Sequence, residues 1–380
     1  MAKLLYFQWH SFMNHGIERA LDKLGMEYDT FFYQFTDWEK DDAFYTLFTQ
    51  KIKSGAYSKV FSVNFAPLIS EICEQYQIPY ISWIYDCPLH IRDRKPLENG
   101  CNTVYFFDRR QTEEAKKAGV NARHMPLAVD TEVFNVHPGP AEREKYDTDV
   151  SLVGKLYQTE YQYYMQPLNG YQRGYLEGII QAQMKIYGGY LIPELITDEL
   201  LDGLNVSYGK ASKNQVVMDR RELEFLLACE TTGRERYLAL ALLSQHFRTV
   251  LYSTQKDERL TAVDYRGYAD YYQDMPYIFR LSSINLNISL KAIQTGIPLR
   301  VIDVMGCGGF VLTNYQEEIA EYFVNEEDCV IYESLEDLYA KAVFYLKHDA
   351  IRQQIAQNGM EKVKRAFTFE ERLRKMLSGE

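Results

Sequence analysis

The first third of the chain alternates short apolar runs with amphipathic stretches. Residues 3–8 (KLLYFQ), 28–35, 59–63 (KVFSV), 80–85 (YISWIY) and 103–107 read as strands, and 124–127 closes the series. Between them, 17–24, 41–52, 66–76 and 110–118 carry the spacing of helices. Strands alternating with helices in this way predict a parallel, doubly wound sheet. The stretch 137–147 (HPGPAEREKYD) is rich in Pro, Gly and charge and reads as a linker; 149–154 then opens a second sheet. From 157 to about 245 the pattern turns mostly helical, with tyrosine-rich connections. Strands return at 249–253, 284–289, 310–313 and 330–332, and helices at 335–347, 350–366 and 370–376 end the chain. The predicted organisation is therefore two Rossmann-like α/β domains, 1–148 and 149–366, the second interrupted by a helical insertion at about 157–245.

The chemistry concentrates in 281–318, LSSINLNISLKAIQTGIPLRVIDVMGCGGFVLTNYQEE. A strand runs into a TGIP loop (Gly296, Ile297), and a short helix follows from near Leu299. A GCGG turn then leads to the strand FVLT and the loop TNYQEE. Free backbone N–H groups and a positive helix end make such junctions natural anion sites. In open parallel sheets, ligands bind outside the carboxyl ends of the strands. Arg300 supplies a cation for phosphate, and Asp303, one turn on, a carboxylate for a ribose diol. Gly306, Gly308 and Gly309 allow close approach and positive φ. Thr313, Asn314 and Tyr315 lie just past a strand; Glu317 and Glu318 either touch a sugar or open a helix with favourable charge. Gly154 and Lys155 end the first strand of the second domain, and Tyr252 and Ser253 end the next, where a nucleotide base would be flanked.

The stretch resembles the nucleotide-sugar half of GT-B glycosyltransferases, in which a glutamate in a pattern like E-A-M-A-x-G-x-P binds the donor ribose. Here Asp303-Val304-Met305-Gly306 occupies that place. A closer resemblance is to CgeB-like (spore maturation protein-like) glycosyltransferases, carried by PLRVID-MGCGGF-LTNYQEE and, upstream, by SWIYDCP (82–88), VYFFDRR (104–110) and PLAVDTEVF (126–134). It implies the GT-B fold, two domains with a cleft between them, and a final helix (367–380) packing back on the first domain. It also implies a nucleotide-sugar, UDP-sugar foremost, as co-substrate with no other cofactor. One departure stands out: many retaining enzymes carry a glutamate eight residues before the ribose glutamate, and here that position is Thr295.

Asp86 follows the apolar run SWIY and is the candidate general base toward an acceptor hydroxyl. His10 and His15, in and after the first loop with Asn14, are the alternative, because imidazole titrates near neutral pH. Asp108 and Arg109 end the next strand and are candidates for acceptor or sugar contact. Asp147-Thr148-Asp149 has the D-x-D form of a metal motif but sits in the linker and reads as structural, so no metal ligands are assigned.

Composition narrows the partners. The net charge is −11 with no basic run, which argues against nucleic acid. The six scattered cysteines form no CxxC pair and fit a reducing, cytoplasmic compartment. No run reaches the length of a membrane span. A donor and a glycan, protein or small-molecule acceptor are the expected partners, with a homodimer left open. Epimerase, phosphorylase and non-catalytic binding roles on the same scaffold remain alternatives.

Overall fold

Apolar runs become strands, trimmed where polar or turn residues intervene. The computed structural model describes residues 3–211 and 217–379. Its first sheet contains Lys3–Gln8 (β1), Tyr28–Phe32 (β2), Tyr57–Val63 (β3), Tyr80–Ile84 (β4), Asn102–Phe106 (β5) and Ala122–His124 (β6). All pairings are parallel, in the order β2-β1-β3-β4-β5-β6. One face is covered by aromatic packing, with Phe44 stacked on Phe48 at 5.0 Å and tilted against Phe35 at 4.4 Å. The helix Asp42–Ser54 that brings Phe44 and Phe48 starts where the Asp41 side chain accepts from the Phe44 N–H at 2.9 Å.

The second sheet contains Thr148–Val153 (β7), Thr249–Tyr252 (β8), Asp264–Gly267 (β9), Ser282–Asn287 (β10), Val311–Asn314 (β11) and Val330–Tyr332 (β12). It too is parallel, ordered β12-β11-β10-β7-β8-β9. Counted from its own first strand this is the Rossmann order, whereas the first sheet follows the flavodoxin order with a sixth strand added. The order reverses between β1 and β3 in one sheet and between β7 and β10 in the other.

Three elements differ from expectation. β9 (DYRG) is a polar edge strand with no apolar run to announce it. The helix Met275–Leu281 is also absent from the sequence reading. The presumed linker 137–147 holds a helix, Pro140–Tyr146, because proline suits the first turn and Glu142 caps the Gly139 N–H at 2.9 Å. The insertion is helical as read, with helices Tyr161–Met165, Gly170–Met184, Ile192–Leu195, Asp198–Ala211 and Arg220–Leu243; its residues 212–216 lie outside the described residues, as does residue 380 of the final stretch.

Two compact units result, Met1–Glu132 with Thr295–Ile302 and Lys362–Glu380, and Val133–Gln294 with Asp303–Glu361. The segment 137–147 belongs to the second unit. In the first, the closing helix Phe369–Ser378 packs on the helix Asn14–Lys23, where Gly16 leaves room for the Phe369 ring; a Cβ there would come within 2.7 Å of it. No helix among the described residues is long and apolar enough to cross a membrane.

Candidate functional site

In the second unit, the crevice between β7 and β10 is where an open sheet of this order takes its ligand. Its floor is built by Arg236, from the middle of the 24-residue helix Arg220–Leu243. The guanidinium donates to the Lys155 carbonyl just past β7 and to the Ile288 carbonyl just past β10, where Nε lies at 3.2 Å. It is stacked over the Tyr157 ring at 4.8 Å. Gly154, at φ +155°, makes this possible, since a Cβ there would stand 3.0 Å from Arg236 Nη1. Beside it, Glu235 and Lys291 form a buried ion pair at 2.8 Å, and the Lys291 ammonium lies 4.7 Å from the centre of the Tyr187 ring. Burial pushes the Glu235 carboxyl up, and the Lys291 charge opposes that shift. Lys155 is exposed on the same edge.

Arg236, Glu235 and Lys291 escaped the sequence reading. The signal was present: Leu227, Ala228, Thr231, Thr232, Glu235, Arg236, Ala239, Leu240 and Leu243 are all buried, so two charged residues occupy the core stripe of a helix. Charges at such positions require partners.

The ends of β10 and β11 are tied together. Asn287 donates to Thr313 Oγ1 at 2.9 Å, and Asn314 accepts from the Ser289 N–H at 2.7 Å. Thr313 and Asn314 are therefore buried and engaged in holding the edge, while Tyr315 is half-buried and Glu317 exposed. At β8, Tyr252 and Ser253 are buried; the Tyr252 hydroxyl accepts from Arg266 at 3.2 Å. Asp303 is fully buried in the helix Leu299–Gly306, with the Tyr271 hydroxyl donating to its Oδ1 at 3.3 Å. Gly308 and Gly309 lie elsewhere. They precede β11, at the amino edge of the sheet, away from the carboxyl ends where the other candidates gather.

In the first unit, the TGIP loop rests on Asp108. This buried residue caps the helix Arg109–Lys117 through the Gln111 N–H at 3.0 Å. Its Oδ2 accepts from the N–H groups of Thr295 at 2.9 Å and Gly296 at 3.0 Å, and its Oδ1 from the Thr295 hydroxyl at 3.2 Å. This corrects the expectation for the loop: backbone donors offered to phosphate are already held by a carboxylate. Asp108 is thereby a positioning residue for the loop rather than an exposed acceptor contact. Ile297 is buried, and Arg300 is half-buried at the first turn of its helix.

At the β1–β3 reversal, Trp9 Nε1 donates to the Val63 carbonyl at 3.2 Å. Asn64, at φ +60°, then clamps the end of β4: its Oδ1 accepts from the N–H groups of Tyr85 at 2.8 Å and Asp86 at 3.2 Å, and its Nδ2 donates to Asp86 Oδ2 at 2.7 Å. Asp86 is thus exposed but oriented. His10 and His15 are both exposed; His10 packs on Phe32 at 5.1 Å, and His15 Nδ1 stands 3.8 Å from Glu18.

Solved structures superpose on this architecture over nearly the whole chain. A glycosyltransferase from Rickettsia africae superposes with a TM-score of 0.61 at 12% identity, covering 99% of this chain and 97% of the other. The chain has the GT-B fold. Sucrose-phosphate synthase from Thermosynechococcus elongatus gives a TM-score of 0.56 at 12% identity, covering 100% of this chain and 98% of that one. HepE from Anabaena, solved in complex with UDP and glucose, gives 0.56 at 11% identity with 100% coverage of both. Residues 231–378 match the model of a family described as glycosyl transferase-like. No curated protein matches the chain. The family match begins within the helix that carries Glu235 and Arg236 and includes Lys291, Asp303 and the ends of β8 to β12.

Proposed function

We propose that this GT-B chain is a Leloir-type hexosyltransferase of the CgeB-like kind, moving a sugar from a UDP-sugar to a hydroxyl on a glycan, protein or small molecule. The observation that carries this reading is the β7–β10 crevice, where Lys155, Arg236 and Lys291 gather at the ligand edge of a Rossmann-order sheet in a chain of net charge −11. Preorganised cations at that place suit a departing diphosphate. HepE, of similar fold, was solved with UDP-glucose, which supports a UDP donor. In this reading Lys155 meets the diphosphate, Arg236 holds the two strand ends that form its cradle, and Asp303 binds the ribose once Tyr271 gives up its hydrogen bond. Tyr252 and Ser253 flank the base. Asp86, oriented by Asn64, takes the proton of the acceptor hydroxyl.

Calorimetric titration with UDP, paired with turnover of a UDP-sugar, tests the assignment. Asp303→Ala is expected to weaken UDP by about tenfold or more, the cost of about 1.5–3 kcal/mol for a lost charged acceptor. Asp86→Asn is expected to lower kcat by about 10²–10⁴-fold while leaving UDP affinity in place. Unchanged UDP affinity in a folded Asp303→Ala protein would sink the ribose role. An Asp86→Asn protein keeping a third or so of wild-type kcat, far above the range for a lost general base, would move the base to His10 or His15.

A further inference from the structure

Gly308 and Gly309 line a cavity of about 640 Å³ at the amino edge of the second sheet. Arg143, Arg280 and Arg352 line it as well, and no carboxylate does among the described residues. The arrangement is built rather than incidental. Gly308 has φ +68°, and a Cβ there would lie 2.6 Å from Arg280 Nη1. The bare turn lets that guanidinium lie across it and donate to the Gly308 carbonyl at 2.8 Å. With a longer bond to the Cys307 carbonyl at 3.5 Å, Nη1 alone fixes Arg280, which leaves the other nitrogens of a fork of five N–H donors. Arg352 is buried and held by the Tyr345 carbonyl at 2.6 Å and Asp349 at 2.8 Å. It stands in the first turn of the 18-residue helix Asp349–Ala366, where the helix dipole adds positive potential. Arg143 is exposed on the helix Pro140–Tyr146 and forms no ion pair among the described residues.

Arg143 and Arg280 form no ion pair among the described residues and share this cavity with Arg352, whose charge is met by Asp349; in a chain of net charge −11 that leaves a local positive surface suited to an anion. Guanidinium forks match phosphate oxygens in paired hydrogen bonds. The volume exceeds that of a bare ion and falls in the range of small-molecule sites, roughly 300–1,000 Å³. The amides of Gln353 and Gln357 can serve the polar groups of an attached sugar. The geometry points to a second ligand site, for a phosphate monoester of small-molecule size, at the edge of the sheet opposite the donor crevice. It stands independently of sugar transfer.

Isothermal titration of the full chain with glucose 6-phosphate, in low-salt buffer free of phosphate, tests this. Saturable binding is expected, weakened about tenfold or more in Arg143→Gln/Arg280→Gln, since two charge-assisted contacts are lost. UDP affinity in that double variant should stay within about twofold of wild type, and Asp303→Ala should bind the ester normally. Both arginines are exposed, so the double variant should keep its melting temperature. Ester affinity unchanged in the double variant, or no saturation up to about 10 mM, would overturn the site. Binding to phosphatidylglycerol vesicles with no response to the soluble ester would overturn the small-molecule assignment in favour of a lipid headgroup.

Discussion

One guanidinium, that of Arg236, satisfies carbonyls just past the ends of two neighbouring strands, and the adjacent Glu235–Lys291 pair is sealed beside it. A buried pair of this kind is more expensive to break than to replace. Glu235→Leu alone is expected to destabilise the fold by about 3–5 kcal/mol, whereas Glu235→Leu/Lys291→Met should come close to wild type. Urea unfolding of the two variants makes the comparison, and a double variant as unstable as the single would show that packing, not charge, is at stake. A pH dependence follows. Because burial raises the Glu235 carboxyl in the folded state, that state holds its proton more tightly than the unfolded chain does. The group's contribution is therefore full below the ordinary glutamate range and falls as pH rises through the raised value. The double variant should lose that slope. None of this came from motif reading. Asp303 was legible because it sits in a glycine-punctuated apolar helix. The charge pair was not, because its meaning depends on which face of a long helix turns inward.

At the scale of elements, the strongest discrepancy is the TGIP loop. Sequence reasoning treats its N–H groups as open, yet Asp108 accepts from two of them. The pairing spans 187 and 188 residues, a separation no local pattern reports. Asp108→Ala removes the Oδ2 that both N–H groups share. Stability should fall by about 1–3 kcal/mol through the unsatisfied donors, and amide exchange at Thr295 and Gly296 should accelerate. Unaltered exchange at both residues would remove Asp108 from the role of loop holder. Strands were legible where they were apolar and central, as with β1, β4 and β11, whose buried positions run unbroken from near their starts. β9 was not, because an edge strand pairs on one side and needs little apolar content. The helix Pro140–Tyr146 was hidden by a charged composition that also suits a linker.

For the molecule as a whole, the alternation of strand and helix was enough to predict the fold that structures at 12% identity share. Strand order was not predictable, since it depends on how each crossover returns. The second sheet's order brings the ends of β7 and β10 together and so creates a crevice that no single motif describes. With cations supplied there by the protein, turnover is expected to persist in EDTA, because side chains and backbone dipoles meet the diphosphate charge. Complete loss of turnover restored by Mn²⁺ or Mg²⁺ would show that a metal neutralises the phosphates instead. The division into units has its own implication for gene fragments. The chain changes unit after Glu132, Gln294, Ile302 and Glu361, so no single cut separates them. A fragment ending at Glu132 would lack the Thr295 and Gly296 donors that occupy Asp108 and the helix that covers Gly16. A fragment covering 133–361 would carry the eight residues Thr295–Ile302 without the partners that order them. Domain exchange between relatives of this architecture therefore has to be designed as a threaded graft with several junctions, not as a swap of halves.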